Sequence, residues 1–255
     1  MFGNEYKNVG VIVLVAGRGT RLGCVDYPKV MLEVGGKPMV SYVVETLKHL
    51  GFSREQICLV VGFQKQVVMD YFGNSVIYAH QDEQLGTGHA VLVAKSQMKR
   101  FSHILVLYGD MPFLSEYSVK KMISRHTEED AVLTQTTVRV PDFSRNNEPF
   151  SHYGRIVRGG HGQILKSVEE KDASEEEKRI LELNTGYICA RSDWLWKSLD
   201  EIENTNAQNE YYLTDLLEIA VNQGHSVGSV QIESREALGI NTKGDLEEAG
   251  QKNIQ

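Results

Sequence analysis

The sequence predicts an α/β fold in which a mostly parallel central sheet lies between layers of helices. Three observations carry this. Val9 to Val15, Ile57 to Val61 and His103 to Tyr108 are short, continuous apolar runs, the pattern of strands buried on both faces. The first two are separated by a glycine-rich turn and an amphipathic helix, which together make a right-handed β-α-β unit. The chain has 255 residues and 41% hydrophobic content, with no linker-like or low-complexity tract, enough for one large domain spanning 1–255.

Taken in order, the first strand runs into Ala16-Gly-Arg-Gly-Thr-Arg-Leu-Gly23. Gly17, Gly19 and Gly23 let main-chain N–H groups approach a ligand. Arg18, Arg21 and Lys29 add three cations, and Asp26 is the only acid in the loop. A cationic glycine loop at the carboxyl end of a parallel strand is where α/β sheets bind phosphates. No glycine here is followed by Lys-Ser or Lys-Thr, so the loop is no P-loop. The spacing Gly17, Gly19, Gly23 is one residue too long for a dinucleotide fingerprint, and the second strand ends in Gly62-Phe63-Gln64 without an acid.

Pro38 to Leu50 reads as a helix, with Pro38 in its first turn and Gly51 ending it. A helix near Lys65 to Phe72 and a strand near Val76 to Tyr78 follow. Gln81 to Ala90 is a second strand–glycine–helix junction, where Gly86, Thr87 and Gly88 offer amides and Gln81 an amide able to meet a planar base. The plainer reading is a capping turn with Gly86 or Thr87 at the N-cap, and both can hold together. The third buried strand ends in Gly109-Asp110, and a carboxylate at that position either reaches the crevice, where it suits Mg²⁺, or orders a turn. Ser115 to His126 predicts a helix capped by Ser115, and Ala131 to Val138 a strand. Arg139 to Tyr153 reads as an exposed loop or lid. Tyr153 to Val157 and Ile164 to Glu169 predict a strand pair. Lys171 to Leu183 predicts a surface helix with Ser174 and Glu177 as its capping box. Asn184 to Ala190 is a strand, and Trp194 to Ile202 a helix whose tryptophans serve packing. Asn209 to Gly224 is a helix, Ser226 to Ile232 a strand, and the tail helical.

The net charge of −7 argues against a nucleic-acid partner. Cys24, Cys58 and Cys189 are odd in number and far apart, which argues for a reducing compartment, the cytoplasm, and against disulfides or a zinc site. No segment is long and apolar enough to span a membrane. No histidine spacing suggests metal ligation, and no motif suggests a covalent nucleophile.

With these residues assembled, Leu14-Val-Ala-Gly-Arg-Gly-Thr-Arg-Leu22 with Pro28-Lys29 resembles the signature loop of sugar-nucleotide pyrophosphorylases. Gln84 to Ala90, Leu107 to Asp110, Tyr153 to Ile156, Glu170 to Ala173, Asn184 to Gly186 and Asn209 to Asp215 narrow the resemblance to the bacterial N-acetylglucosamine-1-phosphate uridylyltransferases. The ordered match runs from about Val9 to Asn241. It implies a Rossmann-like three-layer nucleotidyltransferase fold with a small sugar-binding β insertion, and transfer of UMP from UTP to N-acetylglucosamine 1-phosphate. It implies that Leu14, Val15, Ala16, Gly17, Gln81, Gly86 and Thr87 bind the nucleotide. Arg21 and Lys29, with Arg18, would hold the phosphates. Tyr108, Gly109, Gly154, Glu169 and Asn184 would bind the sugar, and Asp110 and Asn241 would bind Mg²⁺. Asn241 and Glu169 enter through the resemblance alone. Two departures stand out: Val15 where the family usually has Ala, and Glu170 where His is common. The chain ends before any hexapeptide repeat, so the family's acetyltransferase β-helix and the trimer it builds are expected to be absent. The alternatives are the same chemistry on glucose 1-phosphate or another nucleotide, a non-catalytic nucleotide-sugar regulator and, more distantly, a nicotinamide enzyme.

Overall fold

The computed structural model describes residues 6–19, 22–23 and 26–251. In chain order the elements are β1 (Val9–Leu14), a 3-10 turn at Lys29–Met31, the short hairpin β2 (Glu33–Val34) and β3 (Lys37–Pro38), α1 (Met39–His49), β4 (Ile57–Val61), α2 (Lys65–Phe72), β5 (Ile77–His80), α3 (Thr87–Leu92), α4 (Lys95–Met98), β6 (His103–Tyr108), α5 (Glu116–Glu128) and β7 (Leu133–Arg139). A 3-10 helix at Arg145–His152 leads to β8 (Arg155–Arg158), β9 (Ile164–Val168), β10 (Glu182–Arg191), α6 (Ser192–Ser198), α7 (Leu216–Asn222), β11 (Gly228–Gln231) and α8 (Lys243–Gln251).

The main sheet has the order β11-β7-β10-β6-β1-β4-β5, with the β8–β9 hairpin joined to it through β10. β1 pairs in parallel with β4 and β6, β4 with β5, and β7 with β11. β10 alone on this path runs antiparallel to its neighbours. The apolar runs are buried on both faces because alternate residues point to opposite sides. Val11 and Val13 pack with Val40, Val43, Val119 and Met122, on the side of α1 and α5. Ile12 packs with Val91, Met98, Leu195 and Leu216, on the side of α3, α4, α6 and α7. This is the expected three-layer arrangement. The carboxyl ends of β1, β4 and β6 converge at one edge: Gly109 N donates to Leu14 O at 3.0 Å, and Val15 N donates to Val60 O at 3.0 Å.

Several local expectations are corrected. The Ser174–Glu177 capping box forms, with Ser174 N donating to Glu177 Oε2 and Glu177 N to Ser174 Oγ, but only a 3-10 turn at Glu177–Arg179 follows. The residues beyond it are drawn into β10, where Glu182 pairs with Arg139. The helix expected from Asn209 begins only with a 3-10 turn at Leu213–Asp215 ahead of α7, because Asn209 takes a left-handed φ of 54°, Tyr212 is extended, and Tyr211 is hydrogen-bonded to Leu85 and Gly88 instead of to a helical turn. The expected lid at 139–153 is partly anchored. Phe150 is buried, and the Tyr153 hydroxyl donates to Ala237 O at 2.6 Å. Both tryptophans are buried, each indole N–H satisfied within the protein. Cys58 and Cys189 are free and buried; burial pushes the Cys58 thiol up to about 12 and the Cys189 thiol higher. Cys24 lies outside the described residues. Among the described residues, no helix is long and apolar enough to cross a membrane.

Candidate active site

Two cavities open at the carboxyl edge of the sheet. The smaller, about 240 Å³, is lined by Leu14, Val15, Ala16, Gly17, Gln81, Gln84, Gly86 and Thr87, among others. The larger, about 570 Å³, is walled by Tyr153, Gly154, Glu169, Asn184, Thr214 and Asn241, among others. Thr87, Tyr108, Asp110 and Glu210 line both, so the cavities share one wall.

The smaller cavity is built by the two glycine junctions. Gln84 Nε2 donates to Ala16 O at 2.8 Å, which ties the second junction to the first. Gly86 is the N-cap of α3, with φ 109° and ψ 177°, a region that essentially only glycine occupies. The junction caps α3 as the capping reading has it, and the same residues line a cavity. The chain at Tyr211 lies against it, with Gly88 N donating to Tyr211 O and Tyr211 N to Leu85 O, both at 2.8 Å. Gln81 Nε2 donates to Gly86 O at 3.0 Å and lies 3.2 Å from His89 Nδ1. These contacts orient the amide nitrogen toward Gly86 and His89.

Between the cavities, the Lys29 ammonium donates to Asp110 Oδ2 and, at 2.9 Å, to Asn241 Oδ1. The Lys29–Met31 turn presents Lys29, and the end of β6 presents Asp110. Asn241 is delivered from the far end of the chain by Ile240 N, which donates to Asp110 O at 2.9 Å. Two oxygen donors thus converge on a single cation. Among the described residues, no cluster of three His, Cys, Asp or Glu side chains is arranged to hold a metal ion.

In the larger cavity, Thr214 Oγ1 donates to Glu169 Oε1 at 3.1 Å. Burial pushes the Glu169 carboxyl up; Thr214 and Arg155 act against that shift, and Asp172 adds to it. Asp215 behind it is pushed up to about 6 by burial, with Glu169, Glu218 and Asp172 contributing. Burial, with Glu169 and Asp110 nearby, holds the Tyr108 phenol far above its usual range, so it stays neutral. The Asn184 side chain is spent inside the protein: its Oδ1 accepts from Gln135 Nε2 at 2.5 Å and Gly186 N at 2.7 Å, and its Nδ2 donates to Ser167 Oγ at 2.9 Å.

Most residues expected at the site therefore meet around these two cavities. Gly109 and Arg18 are not among the residues lining either cavity. Gly109 packs under the loop: a Cβ there would lie 2.5 Å from Val15 Cγ1 and 3.3 Å from Val40 Cγ2, so a larger residue would force Val15 to move. Arg18 is exposed, its guanidinium 5.6 Å from the Phe63 ring centroid. Arg21 lies outside the described residues. Gln84, Glu210 and Thr214 lie inside quoted motifs, but nothing in their spacing marks them as cavity residues.

Residues 11–186 match the model of the MobA-like NTP transferase domain. The chain belongs to the MobA-like NTP transferase domain family. Its relatives include the bifunctional protein GlmU of Geotalea uraniireducens, 43% identical over 249 residues, covering 96% of this chain and 52% of that protein. The bifunctional protein GlmU of Acetivibrio thermocellus is 40% identical over 243 residues, covering 94% and 50%. The chain thus spans about half the length of these relatives. A crystal structure of UDP-glucose pyrophosphorylase with UDP-glucose superposes with a TM-score of 0.75 at 20% identity, covering 95% of this chain and 97% of that one. HddC from Yersinia pseudotuberculosis with GMP-PN gives 0.67 at 21%, covering 95% and 98%. These two likenesses establish the NTP transferase fold.

Proposed function

We propose that this NTP transferase domain transfers UMP from UTP to N-acetylglucosamine 1-phosphate, releasing pyrophosphate. The observation that carries the reading is the pair of adjoining cavities with Asp110 on their shared border and Lys29, which lines the smaller one, bonded to it. One cavity suits a nucleoside and the other a sugar, and their common wall is where two phosphates would meet. The 43% identical relative and the motif resemblance support the same reading.

The Gln81 carbonyl oxygen is an acceptor, which suits the N3–H of uracil and disfavours cytosine, whose N3 is itself an acceptor. The sugar phosphate oxygen attacks the α-phosphorus of UTP in line, and pyrophosphate departs from the opposite face. Aligning the two substrates removes much of the entropic barrier. Lys29 neutralises charge growing on the transferred phosphoryl group, and Arg21 and Arg18 are assigned to the phosphates with it. Glu169, held by Thr214, accepts hydrogen bonds from the sugar in the larger cavity. The site fits Mg²⁺. Asp110 Oδ2 and Asn241 Oδ1 are hard oxygen donors already facing one cation, and a two-ligand set suits an ion that keeps waters and substrate phosphates as its other ligands. When bound, Mg²⁺ supplies charge neutralisation and orientation of the phosphates. Free buried thiols at Cys58 and Cys189 support a cytoplasmic setting.

Mass spectrometry of the product tests the reading. UDP-N-acetylglucosamine formed from the two substrates supports it. UMP alone, or nucleotide bound without turnover, would favour hydrolysis or a regulatory role.

A further inference from the structure

Arg155, on β8, is only 2% exposed. Burying a guanidinium is costly unless its charge and its N–H groups are used. Its Nη1 donates to Tyr153 O, its Nη2 donates to Lys178 O at 3.3 Å, and its plane lies 5.0 Å from the Phe143 ring centroid. Its Nε has no hydrogen-bond partner among the described residues. Glu169 and Glu170 offset part of the cost of its charge. Neither bond on the guanidinium extends the sheet. Together with the ring contact they join three segments: the loop at Phe143, the end of the 145–152 helix at Tyr153, and the 177–179 turn.

Of these segments, the one that ends at Tyr153 lines the larger cavity, while Phe143 and the 177–179 turn do not. Glu148, Pro149, His152, Tyr153 and Gly154 line it. Gly154 is pinned on one side, its carbonyl accepting from Asn184 N at 2.8 Å. It also faces Glu169, whose Oε1 would lie 3.3 Å from a Cβ at Gly154. The smaller cavity draws on none of these residues.

We propose that Arg155 is a positioning residue for the sugar subsite: it clamps the 143–154 segment, whose end walls the larger cavity, and sets the height of Gly154 against Glu169. This rests on the reading of the larger cavity as the sugar 1-phosphate site. A clamp confined to that wall affects one substrate and spares the other, whereas a merely structural arginine affects both or neither.

The test uses Arg155→Met and Arg155→Lys in the full chain. Two readouts are taken: backbone hydrogen exchange over 143–154, and KM for each substrate. In Arg155→Met we expect exchange over 143–154 at least tenfold faster, with residues 9–19 unchanged. KM for N-acetylglucosamine 1-phosphate should rise at least tenfold while KM for UTP stays within twofold. Arg155→Lys, which keeps the charge but not the fork, should recover part of both effects. Unchanged exchange, or KM values that rise together, overturns the proposal. If Arg155→Met does not fold, Phe143→Leu carries the test: a threefold rise in the sugar KM alone supports the clamp, and no rise overturns it. A wild-type protein inactive on every sugar 1-phosphate would refute the functional reading, while the exchange readout would still decide whether Arg155 holds the wall.

Discussion

Replacing Gly86 by alanine tests the architecture of the nucleotide cavity at one atom. At φ 109° and ψ 177° an alanine carries backbone strain of ~1–3 kcal/mol. Its Cβ would also lie 2.6 Å from Tyr211 O and 2.7 Å from Tyr211 N. These are backbone atoms that no rotamer change can move aside. Relief requires the 85–88 segment to part from Tyr211, and the two hydrogen bonds that join them are worth ~1 kcal/mol each. The total is roughly 3–5 kcal/mol, a large share of the ~5–15 kcal/mol by which a typical domain is stable. For a chain of this size that corresponds to a fall in melting temperature of roughly 10 °C. Gly86 and Thr87 line the cavity, so KM for UTP should rise about tenfold, a loss of ~1.4 kcal/mol in binding. Gly17→Ala is the matched contrast. Gly17 lines the same cavity, but a Cβ there meets nothing within 4 Å. It should melt like the wild type and still bind UTP more weakly. Thermal unfolding and UTP titration of both variants decide the matter. A Gly86→Ala protein with wild-type stability and wild-type KM would refute this account of the junction.

Lys29→Ala should fold normally and lose ~10²–10³ in kcat, the usual effect of removing one well-placed charged donor; a rate within threefold of wild type contradicts its role. Asp110→Asn keeps a ligand oxygen but not the charge, and should raise the Mg²⁺ concentration needed for half-maximal rate by at least tenfold; an unchanged metal dependence counts against Asp110 as a ligand. His126 is buried against Thr134 Oγ1 at 3.0 Å and His103 Nδ1 at 3.1 Å, and burial, then His103 and Arg191, push it down to about 4. Its folded pKa lies below the unfolded value near 6.5. The stability it contributes is therefore present above about pH 6.5 and is lost as pH falls toward 4, at up to ~1.4 kcal/mol per pH unit. Urea midpoints at pH 7 and pH 5 should differ less in His126→Gln than in the wild type; equal differences contradict this.

The sheet was legible because β1, β4 and β6 are short apolar runs, rich in β-branched residues in β1 and β4 and followed by glycines in β4 and β6, which favours buried strands over buried helices. The place of the first glycine junction was legible because the apolar run ends there, and Leu14 to Gly17 do line a cavity at the carboxyl edge of the sheet. The 171–183 segment was misread for a physical reason. Its capping box is real, but the sequence does not show that Glu182 finds Arg139 in a neighbouring strand, and that pairing outweighs continuing a helix. The Lys29–Asp110–Asn241 cluster was invisible to spacing: its members are 81 and 212 residues apart, and only the fold brings Asn241 to β6. Glu169 and Asn241 were reachable only through resemblance, since a lone Glu or Asn carries no local signal. Arg155 reads as an ordinary strand residue until its burial is seen.

The central claim is that two substrates meet across the wall formed by Tyr108 and Asp110, beside Lys29. The most direct test measures pyrophosphate release from UTP with N-acetylglucosamine 1-phosphate, with and without Mg²⁺. Glucose 1-phosphate, CTP and ATP are run beside them. Metal-dependent release, fastest for UTP with N-acetylglucosamine 1-phosphate and at least tenfold slower with CTP, is the predicted result. Release that needs no sugar phosphate, or none from any pair with folded protein, would contradict it.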